Sequence, residues 1–130
     1  MRFWFVTTDH LETRIWFKDD EDFKVAMNIV AVLSATKGLT IVAFILMSNH
    51  VHFILACEKD TAEIFITRFK KMYSQYYSKK YGPCSFLRRN KVDIRPVLLE
   101  DEDFERTVAY VMMNRIRAKI VAAFIFPPES

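Results

Sequence analysis

An antiparallel α+β sandwich, with helices packed on one face of a sheet, is the fold class that the order of apolar segments predicts. Three observations point there. Short runs of aromatic and β-branched residues alternate with longer stretches of helical periodicity. Two of those runs, 39–47 and 50–57, are separated only by Ser48 and Asn49, the length of a tight hairpin turn. The chain's 130 residues, 52% hydrophobic and 15% aromatic, supply one domain, 1–130, with material for a core.

"RFWFVTT", residues 2–8, reads as a first strand, which "RIWF", residues 14–17, continues or pairs with. "KDDEDF" opens a helix: Asp19 or Asp20 caps it, and acids fill its first turn. Phe23, Met27, Val30 and Ser34 follow at helical spacing, and Gly38 ends it. "LTIVAFILM" is a continuous apolar strand, expected to be buried on both faces, and "HVHFILAC" is its hairpin partner. A second helix covers about 61–80, with Phe65, Phe69, Met72 and Tyr76 on its buried stripe and its lysines outside.

"GPCSFLRRNK", residues 82–91, reads as a loop, and "DIRPVLL" as a short strand that Pro96 assigns to a sheet edge. Glu100 to Asp103 open a third helix, whose Phe104, Val108, Val111 and Met112 form an apolar arc. Strand, helix, strand, strand, helix, strand, helix is the order of a ferredoxin-like sandwich that carries one further helix at its C-terminal end.

Composition excludes several functions. With two glycines there is no Gly-rich phosphate loop and no dinucleotide fingerprint. The longest apolar run is far shorter than the roughly 20 residues of a membrane span, and "MRFWFVTTDH" has no signal-peptide cleavage site, so a cytoplasmic protein is expected. Cys57 and Cys84 stand in no ligand spacing and read as reduced structural thiols.

The net charge of +3 is unevenly spread. Between residues 68 and 95 lie Arg68, Lys70, Lys71, Lys79, Lys80, Arg88, Arg89, Lys91 and Arg95, opposed by Asp93 alone. A solvated helix face accounts for such a run as readily as a phosphate footprint does. The interleaved Tyr73, Tyr76, Tyr77, Tyr81 and Phe86 favour the footprint, because bases stack on aromatic rings. Lys70, Lys71, Lys79, Lys80, Arg88 and Arg89 are the candidate DNA-binding residues.

His50 and His52 stand one residue apart in the apolar "LMSNHVHFILAC". Strand side chains alternate, so the two imidazoles share one face and Val51, Phe53 and Leu55 take the other, the face that the helices cover. Neutral imidazole is the commonest protein metal ligand, and a His-x-His pair offers two ligands from one rigid strand. Standing alone, such a pair is more often two half-exposed histidines bonded to backbone or water. A third ligand is needed. His10 has no spacing to recommend it, and the acids sit at helix starts, where capping explains them.

In "YVMMNRIRA", Tyr110 and Asn114 are four residues apart and so share a helix face. An asparagine carbonyl can complete a hard-cation site, and a tyrosine one turn away can reach what the cation binds. Of the five tyrosines, Tyr110 has this companion; those of the second helix do not. An ordinary half-buried helix tyrosine is the plainer account of Tyr110 taken by itself.

"LMSNHVHFIL" resembles the His-hydrophobic-His signature of the HUH single-tyrosine transposases, including the REP-associated tyrosine transposases. "TTDHLETRIWFKDDEDF" resembles that family's first strand and helix entry, "FKKMYSQYYSKKYG" its middle helix, and "YVMMNRIRAKIV" its closing helix. The resemblance spans nearly the whole chain. It implies an enzyme that cuts and rejoins single-stranded DNA beside an imperfect hairpin. His50, His52 and Asn114 would hold a divalent metal, Mg²⁺ or Mn²⁺, and Tyr110 would be the nucleophile. Some relatives exchange the tyrosine helix within a homodimer and others act as monomers. Family members commonly carry proline after the asparagine, where this chain has Arg115, so its helix is free to continue. The alternative is a non-catalytic ferredoxin-like nucleic-acid-binding module using the same basic surface. It leaves His50, His52 and Asn114 together unexplained. A hydrolase of small phosphoesters would have no need of the basic helix.

Overall fold

The computed structural model describes residues 2–9, 13–97, 106 and 122–125. Eight elements follow in chain order: β1 (Phe3–Thr8), α1 (Asp20–Leu33), β2 (Thr40–Met47), β3 (His50–Ala56), α2 (Lys59–Tyr81), α3 (Phe86–Arg89), β4 (Val92–Val97) and β5 (Ala122–Ile125). The sheet order is β4-β1-β3-β2-β5, and every neighbouring pair is antiparallel. The first four strands have the expected ferredoxin-like arrangement, and β5 adds a fifth beside β2. No element is expected from the sequence over that stretch. The expected third helix, with Tyr110 and Asn114, lies outside the described residues.

Alternation divides the sheet's side chains between two clusters. Trp4, Val6, Phe44, Leu46, Val51, Phe53 and Leu55 pack against Phe23, Ile29 and Leu33 of α1 and Phe65, Phe69 and Tyr73 of α2. On the other face, Phe3, Phe5, Val42, Ile45, Ile54 and Val97 form a smaller buried cluster. This double burial is why β2 and β3 read as unbroken apolar runs. A bulge at Val42 lets Ile41 and Ala43 face successive residues of β3.

Helix α1 starts where the acids require it: the Asp19 carboxylate accepts the Asp22 N–H at 2.9 Å, an N-cap. Asp22, fully buried, then ties α1 to the far end of α2. One of its oxygens accepts the Tyr76 hydroxyl at 2.6 Å and Lys80 Nζ at 3.0 Å; the other accepts the Tyr81 hydroxyl at 2.5 Å and the Lys18 N–H at 2.9 Å. Burial pushes this carboxyl's pKa up, but the combined hydrogen bonds outweigh it and hold the group well below the usual carboxylate range.

Three expectations need correction. "RIWF" forms no strand. Its aromatics turn into the core instead, with Trp16 fully buried and the Trp16 and Phe17 N–H groups donating to the Ser48 carbonyl at 2.8 and 3.1 Å. "GPCSFLRRNK" is not all loop, since α3 lies within it and buries Phe86 and Leu87. Finally, the lysines of α2 are not all outside. Lys70 is buried and donates to the carbonyls of Arg88 at 3.3 Å and Asn90 at 2.5 Å. These two carbonyls have no helical partners at the end of α3, which is why a lysine is tolerated there.

Candidate active site

The histidine pair is positioned by pairing on both sides of β3. The Ser48–Asn49 turn places Met47 opposite His50, which puts His52 opposite Ile45 on one side and opposite Thr7 of β1 on the other. Both imidazoles lie on the sheet face away from the helices, as the alternation requires. Their ring centroids are 4.9 Å apart and the rings nearly perpendicular, at 84°. They are more enclosed than a half-exposed pair bonded to backbone or water would be: His50 is 8% and His52 4% exposed.

Each ring has a partner at Nδ1. His50 Nδ1 lies 2.7 Å from Asn49 Oδ1, and an amide oxygen can only accept, so Nδ1 holds the hydrogen. His52 Nδ1 lies 2.9 Å from Thr7 Oγ1, a hydroxyl that also lies 3.2 Å from the Thr8 carbonyl. Each ring is thus held through its Nδ1. A second partner that orients the ring through its other nitrogen is the arrangement found around metal-ligating histidines, and this donor set suits a divalent cation. The Phe5 ring stacks on His52 at 5.6 Å and 10°, further fixing the ring plane. Neither Thr7 nor Asn49 was singled out from sequence; the signal for Thr7 was its place on the same alternating face of a neighbouring strand.

Among the described residues, no third His, Cys, Asp or Glu joins the pair. His10, Tyr110 and Asn114 lie outside the described residues.

The candidate DNA-binding residues separate into two groups. Lys71, Lys79, Arg88 and Arg89 are exposed, as is Lys80, which differs from them in being ion-paired to the start of α1. Lys71 and Arg88 flank a cavity of about 740 Å³ between α2, α3 and β4, floored by Ile66, Val92 and Ile94. The other two serve the fold. Lys70 holds the end of α3, and Lys80 lies 2.7 Å from Asp19, 2.9 Å from Glu21 and 3.0 Å from Asp22.

The aromatic part of the footprint is also altered. Tyr73, Tyr77 and Phe86 are buried, so their rings pack rather than receive bases. The Tyr73 hydroxyl donates to the Trp16 carbonyl at 2.5 Å, and burial, with nearby Asp22 second, pushes its pKa far above the ordinary phenol value. Burial and the bond to Asp22 raise Tyr76 as well. Neither suits the role of a nucleophilic phenolate.

Fold and sequence together point to a class, the transposases built on a ferredoxin-like sheet. The family model described as "Transposase IS200 like" matches residues 5–90, and the chain belongs to that family. Among solved structures it is similar to a REP-associated tyrosine transposase bound to a REP hairpin. The TM-score is 0.64 and the identity 13%, over 89% of this chain and 67% of that one. It is also similar to a protein of Deinococcus radiodurans R1 described as a transposase, with TM-score 0.53 and 15% identity over 88% of this chain and 90% of that one. No curated protein matches it. No helix among the described residues is long and apolar enough to cross a membrane.

Proposed function

We propose that the chain is a single-stranded DNA transposase that breaks and rejoins a phosphodiester through a 5′-phosphotyrosine link. The observation that carries this reading is the enclosed imidazole pair, both of whose rings are held through Nδ1 on the sheet face opposite α1 and α2. A Mg²⁺ or Mn²⁺ ion held by His50, His52 and Asn114 would polarise the scissile phosphate and stabilise the departing 3′ oxygen. Tyr110 supplies the nucleophile: its hydroxyl gives its proton to water as its oxygen bonds to phosphorus, the P–O3′ bond breaks, and the 3′ oxygen takes a proton from water and leaves as a hydroxyl. Attack by another 3′ hydroxyl reverses the step, joins the strands and releases the tyrosine.

Thr7 and Asn49 hold the two imidazole rings in their orientation through Nδ1. Lys71, Lys79, Arg88 and Arg89 supply the exposed positive charge that a DNA backbone needs. The hairpin in the similar structure supports hairpin-bearing DNA as the substrate.

The test is a denaturing gel of the protein with end-labelled single-stranded DNA and Mn²⁺. Wild-type protein is expected to give a covalent adduct, and Tyr110→Phe, which removes one oxygen and keeps the ring, to give none while still binding DNA. An adduct that maps to Tyr73, Tyr76, Tyr77 or Tyr81 would refute the assignment of Tyr110. Binding without any adduct from the wild type would leave a nucleic-acid-binding module instead.

A further inference from the structure

A groove of about 540 Å³ opens from His52 across β1 to β4, lined among others by Phe5, Thr7, Lys91, Asp93 and Arg95. Register explains its composition. On β4, Val92 and Ile94 face the helices, so Asp93 and Arg95 face the histidine side, opposite Thr7 and Phe5 respectively. Asp93, Thr7 and His52 thus form one cross-strand row, and Arg95 and Phe5 belong to the next.

Arg95 is prepared for an anion. Its Nε lies 3.0 Å from an Asp93 oxygen, and its guanidinium carbon lies 5.2 Å from the centre of the Phe5 ring. The carboxylate uses one edge of the guanidinium and the ring supports its plane. The terminal amino groups remain as the fork that takes a phosphate. The side chain is 63% exposed and reachable from solvent. Two ring contacts, 5.2 Å from guanidinium to Phe5 and 5.6 Å from Phe5 to His52, bound the separation of Arg95 from the imidazole at about 11 Å. Lys91, exposed on the same groove, adds a second positive charge.

We propose that this groove is the track of the single strand flanking the scissile phosphate, with Arg95 binding a backbone phosphate beside the one that reacts at His50 and His52. The proposal rests on the reading of the chain as a single-stranded DNA transposase, and it adds a binding site on the sheet face, apart from the basic residues of α2 and α3.

The experiment measures binding rather than cleavage, so the two readings fail separately. Wild type, Arg95→Ala and, as a control at an exposed lysine in the turn between α1 and β2, Lys37→Ala are titrated with labelled single-stranded DNA over a range of salt. Arg95→Ala is expected to bind about tenfold more weakly, with its salt slope reduced by about 0.7, the value of one single-strand phosphate contact; Lys37→Ala is expected to match wild type. Replacing phosphates one at a time by neutral methylphosphonate should identify a position, within two nucleotides of the cut, where neutralisation weakens the wild type and leaves Arg95→Ala unaffected. Unchanged affinity and slope in Arg95→Ala would overturn the track, as would a contact that maps far from the cut. If no adduct forms, the cut is taken as the phosphate whose neutralisation His52→Ala no longer senses. The track is then supported if Arg95's contact lies within two nucleotides of it, even though the tyrosine reading has failed.

Discussion

Removing the charge of Asp22 while keeping its shape, as in Asp22→Asn, should loosen α1 from α2 by an amount the structure allows to be worked out. The carboxylate is fully buried and accepts four hydrogen bonds, from Tyr76, Tyr81, Lys80 and the Lys18 N–H. An amide can offer an oxygen to only one of the two donor pairs and turns its NH₂ toward the other. With the NH₂ toward Lys18 and Tyr81, two charge-assisted bonds at about 1.5 kcal/mol each are lost, a destabilisation of about 3 kcal/mol. This agrees with the roughly 3–5 kcal/mol for breaking a buried charged network. Urea unfolding followed by tryptophan fluorescence measures it, and Trp16 beside Tyr73 supplies the signal. The pH dependence gives an independent check. The folded pKa is depressed below that of the unfolded chain, so the contribution is complete above the unfolded carboxylate value of about 3.9 and declines as pH falls through the folded value. The gap between wild type and Asp22→Asn should therefore narrow in acid. A loss under about 0.5 kcal/mol at neutral pH, the range of ordinary surface changes, would refute the reasoning.

Other outcomes follow from the same geometry. Thr7→Val removes the hydroxyl that orients His52, and calorimetry with Mn²⁺ should show metal affinity falling by about tenfold or more. His50→Ala or His52→Ala should abolish DNA cleavage on gels while circular dichroism stays native. Alanine at Lys71, Lys79, Arg88 and Arg89 together should weaken single-stranded DNA binding, with the salt slope reduced by about 0.7 per lost contact in fluorescence anisotropy. Lys70→Met should instead lower stability by about 1–3 kcal/mol in thermal melts, because two carbonyls lose their donor, with a smaller effect on binding than the exposed set.

What could be read in advance was whatever depended on local periodicity. β2 and β3 were legible because both faces of each are buried, and the shared face of His50 and His52 follows from alternation alone. The start of α1 was legible because a cap and an acidic first turn are local signals. Errors arose where a distant partner decides. Trp16 and Phe17 have strand-like side chains, but the Ser48 carbonyl and Tyr73 draw them into the core as loop. Lys70 lies one turn beyond Ile66 on the buried side of α2, and only the carbonyls at the end of α3 make that position tenable. Tyr73 and Tyr77, rather than Met72 and Tyr76, complete the buried stripe, a rotation of one residue that apolar content alone does not resolve. Four residues of α3 are too few to display a period.

Pro96 sits in β4, at the end of the sheet, opposite Trp4. A proline in an edge strand turns its nitrogen outward, where the missing N–H interrupts the row of donors that another strand would need. Arg95 and Lys91 place charge along the same border. A bare strand edge invites further chains to join it and is a common origin of aggregation; here imino acid and cations together make that border a poor template. The border is thereby closed to pairing by a further strand while its charged side chains stay exposed to solvent.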